Sequence, residues 1–210
     1  MTPTTLILIR HGETEWNRER RIQGHLDSAL TPEGIAQAEA CAKRIADEPI
    51  DVVVASDLGR VRRTVELLLA GRNLPIIYDA SLRERCFGIG EGLTYAEMDG
   101  EYPQIFAKTS HVDAEFALPE GETRAAFHAR VNAAFDRLAA THMGKRLLVV
   151  AHGGVLGTIY RRLKHPPIAI SERVLIPNVG YNRIALGPDG WKIEVWGDTS
   201  HLEVETTGGV

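Results

Sequence analysis

Cysteine is scarce in this chain: Cys41 and Cys86 are the two among 210 residues. Neither falls in a C-x-x-C pair, so zinc ribbons and thioredoxin-like redox chemistry find no support. A reduced, cytoplasmic protein is the expectation. No apolar run approaches the roughly 20 residues of a membrane span. The start, MTPTTLILIRHGE, lacks the basic leader and cleavage pattern of a signal peptide. Positive charge is not in excess either, with 24 Lys and Arg against 28 Asp and Glu, a net charge of −4. That argues against nucleic acid or an anionic membrane as partner, since both call for a basic face. Any anion site must therefore be a local cluster. Nucleotide-binding glycine motifs are missing, and GIGEGL from Gly88 to Leu93 matches neither the P-loop nor the dinucleotide pattern. Also missing are long linkers, repeats and low-complexity tracts, so one domain over residues 1–210 is expected.

What is present is an alternation of short apolar runs with longer amphipathic stretches, the pattern of strands alternating with helices. Strands are expected at Thr5–Ile9, Asp51–Ala55, Leu74–Tyr78 and Arg146–Ala151. Thr31-Pro32-Glu33 offers a hydroxyl at the N-cap, proline at the first helical position and an acid near the positive dipole end, so a helix should run to about Ala46. Further helices are expected over Asp57–Ala70, Glu122–Thr141 and Gly153–Lys164. GPDG between YNRIAL and WKIEVW predicts a terminal hairpin from Tyr181 to Trp196. Residues 94–120 read as irregular, with one short helix, and as a lid-like insertion. The sum is a three-layer α/β/α fold around a mostly parallel central sheet.

The polar residues are not scattered at random over that frame. In open parallel sheets, ligands bind beyond the carboxyl ends of the strands. The first strand ends in Arg10-His11-Gly12, the second in Ser56 with Arg60 just beyond, the fourth in His152-Gly153-Gly154. Taken singly, each has an ordinary reading as a loop or solvated residue. Together they put two histidines and two arginines on one rim of an acidic protein. Arginine offers planar donors that match phosphate oxygens and keeps its proton. Neutral imidazole is a competent nucleophile near neutral pH. The inference is phosphoryl transfer through a histidine. A metal site built from His11, His25, His111 and His152 is the competitor, but no H-x-x-x-H or H-E-x-x-H spacing occurs and the neighbouring arginines would repel a cation.

RHGETEWN, followed by RIQGHLDSALTPEGIAQA, resembles the histidine phosphatase superfamily, also called phosphoglycerate mutase-like. The similarity continues in SDLGRVRRT, LRERCFGIGEG, PEGET and VVAHGG, in family order across most of the chain. The resemblance implies that His11 accepts the phosphoryl group, with Arg10, Arg60 and His152 holding its oxygens. It implies Glu84 as proton donor to the leaving oxygen and then as the base that activates water. Asn17, Gln23 and Gly24 would line the phosphate pocket, with Thr14 and Gly153 adding hydroxyl and backbone contacts. Asn178 would fix a loop, Glu13 would support an arginine, and Trp16 would pack. His128, His142, His165 and His201 read as surface residues. No cofactor or metal is implied, and the partner is a small phosphorylated metabolite; whether the chain forms a homodimer is left open.

The sequence favours a phosphatase over a mutase. RCFGIGEGL after Glu84 is similar to the phosphatase branch and lacks the R-H-Y-G-x-L-x-G block of cofactor-dependent mutases. The lid carries Glu97, Asp99, Glu101, Asp113, Glu115 and Glu120 against Lys108 and His111, and so offers little to a second phosphate. Its aromatic residues, Tyr95, Tyr102, Phe106 and Phe116, are expected to pack. A cofactor-dependent mutase and a non-catalytic phosphate-binding module are the alternatives.

Overall fold

The computed structural model describes residues 2–106, 114–164 and 174–202. Four strands run parallel: β1 (Thr4–Arg10), β2 (Val52–Ala55), β3 (Ile76–Tyr78) and β4 (Arg146–Ala151). The hairpin of β5 (Tyr181–Gly187) and β6 (Gly190–Asp198) adds an antiparallel edge. The order across the sheet is β3-β2-β4-β1-β5-β6. Registry sets the rim. Arg10 lies opposite Ala151, and Ala55 opposite Val150, so β1, β4 and β2 end almost level.

β1, β2 and β4 are apolar on both faces because helices cover both. Leu6, Leu8, Val54 and Val149 meet Phe127, Val131 and Phe135 of α6 (Arg124–Thr141) and Leu156 of α7 (Gly153–Leu163). Ile7, Ile9, Val53 and Val150 meet Cys41 of α2 (Pro32–Arg44) and Val61, Val65 and Leu68 of α3 (Gly59–Leu69). Each such side chain, fully buried, contributes about 1.5–3 kcal/mol. The three-layer fold read from the sequence is the fold observed.

Local signals explain the boundaries. The Thr31 hydroxyl accepts from Gly34 N at 2.9 Å with Pro32 at the first helical position, as the sequence suggests. α6 begins two residues later than expected, because Thr123 caps it through Ala126 N at 3.0 Å while Glu122 turns back to Arg130 at 2.7 Å. β3 is shorter than expected, three residues rather than five. One helix was not anticipated, α1 (Glu15–Glu19), whose start is a reciprocal cap between Thr14 and Asn17.

The described part of residues 94–120 holds two short helices, α4 (Tyr95–Glu101) and α5 (Pro103–Phe106), where one was expected. Met98 and Leu118 bury against Ile22, and Tyr102 and Phe116 pack on them, as expected of those aromatics. Tyr95 instead stays exposed beside the site. Lys108, His111, Asp113 and His165, and the side chain of Phe106, lie outside the described residues. Both cysteines are free thiols, with Cys41 in the core. Among the described residues no helix is long and apolar enough to cross a membrane.

Candidate active site

The level strand ends bring Arg10, His11, Arg60 and Gly154 to one cavity of about 640 Å³. His11 leaves β1, is 3 % exposed, and its Nδ1 lies 2.8 Å from the carbonyl of Gly12. A carbonyl oxygen can only accept, so Nδ1 carries the proton and Nε2 keeps its lone pair. Burial, with the charges of Arg10 and Arg60 adding to it, holds the imidazole pKa well below its ordinary 6.5. The ring is neutral and free to attack. Asn178 fixes the same loop, donating from Nδ2 to the carbonyl of His11 at 2.8 Å.

Two guanidinium groups flank the ring. Arg10 donates to the carbonyl of Ile176 at 2.9 Å, which leaves its buried Nε without a hydrogen-bond partner. Arg60 is held more fully, donating to the carbonyls of Gly24 at 2.7 Å and Leu26 at 2.8 Å, and to Asp27 Oδ1 at 2.7 Å. Its Nε is also buried without a partner. A buried charged donor left unsatisfied is costly unless a ligand completes it. Both arginines line the cavity with His11 and are near enough for their charges to lower its pKa.

His152 is placed differently from the expectation. It is fully buried and does not open on the cavity. Its ring stands edge-on to His11, centroids 5.3 Å apart. Nδ1 accepts from Arg60 at 3.2 Å and Nε2 donates to Ser56 Oγ at 2.8 Å. Burial, then the charges of Arg60, His11 and Arg10, hold its pKa well below 6.5. Both ring nitrogens are thus engaged, so in this arrangement His152 backs Arg60 instead of reaching a phosphoryl oxygen.

Glu84 also lines the cavity, and its charge acts on Arg10. Oε2 accepts from Gly154 N at 2.8 Å and Oε1 from Arg85 N at 2.9 Å. A Cβ at position 154 would stand 2.2 Å from Glu84 Oε1, so the carboxylate keeps this place only beside a glycine. Asn17, Gln23 and Gly24 also line the cavity. Asn17 Oδ1 receives Thr14 N at 3.2 Å and Asn178 Nδ2 at 3.4 Å, so its own amide hydrogens are not used in these bonds. Gln23 is buried with Oε1 unpaired.

Other expectations need correction. The Thr14 hydroxyl is buried away from the cavity, accepting from Asn17 N at 3.2 Å to cap α1. Gly153 does not line the cavity; a Cβ there would rest 3.6 Å from Arg10 Nε, and Gly154 is the lining glycine. Glu13 accepts from Thr31 Oγ1 at 2.9 Å and, among the described residues, pairs with no arginine. Trp16 lines the cavity. His128 is half-buried and also lines it, His142 is buried, and His201 Nε2 lies 3.0 Å from the carbonyl of Val179.

Two carboxylates that build the site were missed. Asp27 accepts from the backbone N–H groups of Gly59 and Arg60 as well as from the Arg60 side chain, tying the start of α3 to the phosphate end. Glu91 accepts from the backbone of His25, Leu26 and Phe87 and so folds the loop carrying Gln23 and Gly24. Neither has a local signature, because each carboxylate meets partners far along the chain.

Comparison with known proteins gives the same answer from another direction. Residues 6–199 match the model of the histidine phosphatase superfamily, branch 1. Phosphoglycerate mutase-like protein 4 of Arabidopsis thaliana is 38 % identical over 201 residues, covering 94 % of this chain and 86 % of that one. The solved structure of Bacillus stearothermophilus YhfR is 33 % identical with a TM-score of 0.87, covering 95 % of this chain and 100 % of the other. The alpha-ribazole phosphatase from Shigella flexneri is 28 % identical with a TM-score of 0.84, covering 93 % and 96 %. A neutral histidine between two arginines, on a fold and sequence shared with these proteins, places the chain in the histidine phosphatase superfamily, whose members are phosphatases and mutases that work through a histidine intermediate.

Proposed function

We propose that this protein hydrolyses small phosphomonoesters through a phosphohistidine at His11, without a metal. The observation that carries the reading is the His11 ring itself, with Nδ1 locked to Gly12 and the charges of Arg10 and Arg60, each with a buried unpaired Nε–H, acting on it in one cavity. In the first step Nε2 attacks phosphorus, the ester P–O bond breaks, and the leaving oxygen takes a proton from Glu84. In the second, water gives a proton back to Glu84 and attacks phosphorus, the N–P bond breaks, and inorganic phosphate leaves. Arg10 and Arg60 hold the equatorial oxygens as charge moves between them. His152 keeps Arg60 in place. Release of inorganic phosphate from a panel of phosphomonoesters in the presence of chelator tests this. Sustained turnover is expected, and activity that vanishes with chelator and returns with Mg²⁺ refutes it.

A mutase is the second reading. It is favoured by the relative named as mutase-like and by extra arginines on the cavity wall that the sequence of the lid did not suggest. A mutase must hold a bisphosphorylated intermediate and exclude water while it turns over. Product analysis separates the two: free phosphate for the hydrolase, an isomerised ester for the mutase.

A further inference from the structure

Glu84 sits on backbone that has neither helix nor strand to hold it. A 3-10 helical turn (Ala80–Leu82) ends just before it, and residues 84–87 form no regular structure. Carbonyl groups in such a stretch must find partners elsewhere. Arg130 of α6 supplies them. Its Nη1 donates to the carbonyls of Ser81 at 2.9 Å and Arg83 at 3.0 Å, and its Nη2 to that of Glu84 at 3.3 Å. Three carbonyls within four residues thus converge on one guanidinium. The Glu84 carbonyl also lies 3.0 Å from Nε2 of His25, which must carry a proton there because a carbonyl only accepts.

Glu122 closes on Arg130 from its remaining donors, Oε1 accepting from Nε at 2.9 Å and Oε2 from Nη2 at 2.7 Å. Five bonds match the five N–H groups of a guanidinium, so none is spare. The charge is balanced by the same carboxylate, and Arg130 does not line the cavity. Glu122 holds the next residues as well. Its N–H donates to the carbonyl of Cys86 at 2.8 Å, and its carbonyl accepts from Arg85 Nε at 2.8 Å. The chain on both sides of Glu84 is therefore tied to the start of α6. Arg83 adds a further anchor, gripping Asp57 through two bonds of 2.6 Å just beyond the end of β2.

We propose that Arg130 is a positioning residue for Glu84, fixing from outside the cavity the backbone from which the carboxylate reaches it. The grip is geometric. A planar fork can serve three carbonyls and a carboxylate together, which the single nitrogen of a lysine cannot match. For turnover, the inference rests on the phosphomonoester reading with Glu84 as proton donor. The hold on the backbone does not depend on that reading, and it has its own reporter. Gly154 N–H is a first-turn donor of α7 without an intrahelical partner, and Glu84 Oε2 covers it at 2.8 Å.

The test compares the wild type with Arg130→Met and Arg130→Lys by two readouts. Amide exchange, followed by NMR, needs no turnover. In Arg130→Met the Gly154 N–H should exchange about tenfold or more faster, the factor expected on losing one charge-assisted bond. Leu156 and Ile159 in the same helix should keep their rates, and Arg130→Lys should fall between. Steady-state kinetics reads the consequence. In Arg130→Met, kcat for an alkyl phosphate should fall at least about tenfold further than kcat for an aryl phosphate, whose leaving group needs no proton. Gly154 exchange that stays at the wild-type rate overturns the proposal. So does equal acceleration along all of α7, which would make Arg130 a stabiliser of the fold alone. Arg130→Lys, which keeps the charge opposite Glu122, carries the same outcomes if the methionine variant does not fold. Faster exchange confined to Gly154, with equal effects on the two esters, keeps Arg130 as the holder of Glu84 and refutes Glu84 as proton donor.

Discussion

Arg60 donates a buried hydrogen bond to Nδ1 of His152 across 3.2 Å, joining the start of α3 to the end of β4. The direction follows from chemistry, since a guanidinium has no acceptor. His152 must therefore carry its proton on Nε2, where Ser56 Oγ receives it at 2.8 Å. The ring is fixed as one neutral tautomer before any ligand arrives. The arginine it holds is fixed with it, so little reorganisation remains when phosphate binds.

Ser56→Ala removes that acceptor and leaves the buried Nε2–H without a partner. Stability should fall by about 1–3 kcal/mol, read by urea unfolding. An unchanged midpoint would show that the bond contributes nothing.

Asp27 holds Arg60 from the other side and caps α3. Asp27→Ala should lower kcat/KM for phosphomonoesters at least tenfold, about the value of one charge-assisted bond. Asp27→Asn, which can still accept, should recover part of the loss. Equal losses in the two variants would mean that Asp27 acts on folding and not on the guanidinium.

Gly154→Ala would drive a Cβ to 2.2 Å from Glu84 Oε1 and 3.1 Å from Phe127, displacing the carboxylate. If Glu84 protonates the leaving oxygen, kcat should drop by about 10²-fold or more for alkyl phosphates. Aryl phosphates, whose leaving groups need no proton, should be impaired much less. Glu84→Gln should give the same pattern, and equal losses for both classes would remove Glu84 from that role.

Acid should destabilise the ligand-free protein from near neutrality. His11 and His152 have folded-state pKa values well below 6.5, mainly through burial. The unfolded chain takes up protons near pH 6.5 while the folded chain does not, so stability is fully present above that pH and is lost as pH falls below it. Each ring contributes a loss of about 1.4 kcal/mol per pH unit until its folded pKa is reached. The half-buried His128 and His201 and the largely buried His142 have lowered values too and add in the same direction. Urea unfolding between pH 7.5 and 5 should show the decline, shallower in His152→Asn. A flat profile would mean that the rings titrate normally.

The sheet, its layers and the strand-end placement of Arg10, His11, Arg60 and His152 were legible because apolar runs and helix caps are local signals. Glu84 was legible only through resemblance, since nothing near it distinguishes one acid from another. The fine roles were not legible. Thr14 looked like a ligand contact and is a helix cap, because the alternation of TEWN hides a five-residue helix. His128 looked like a surface residue, since its helical position says nothing about what α7 brings opposite it. The further arginines on the cavity wall were hidden for the same reason: Arg85, Arg124 and Arg161 come to one cavity only after α6 and α7 pack side by side.

The central claim is that Nε2 of His11 takes the phosphoryl group covalently. Rapid acid-free quenching of the wild type during turnover, followed by peptide mass spectrometry, tests it most directly. The expected result is one phosphate on His11, stable in base and lost in acid, and none in His11→Asn. Phosphate on a different residue, or turnover with no labelled protein at any time, would contradict it.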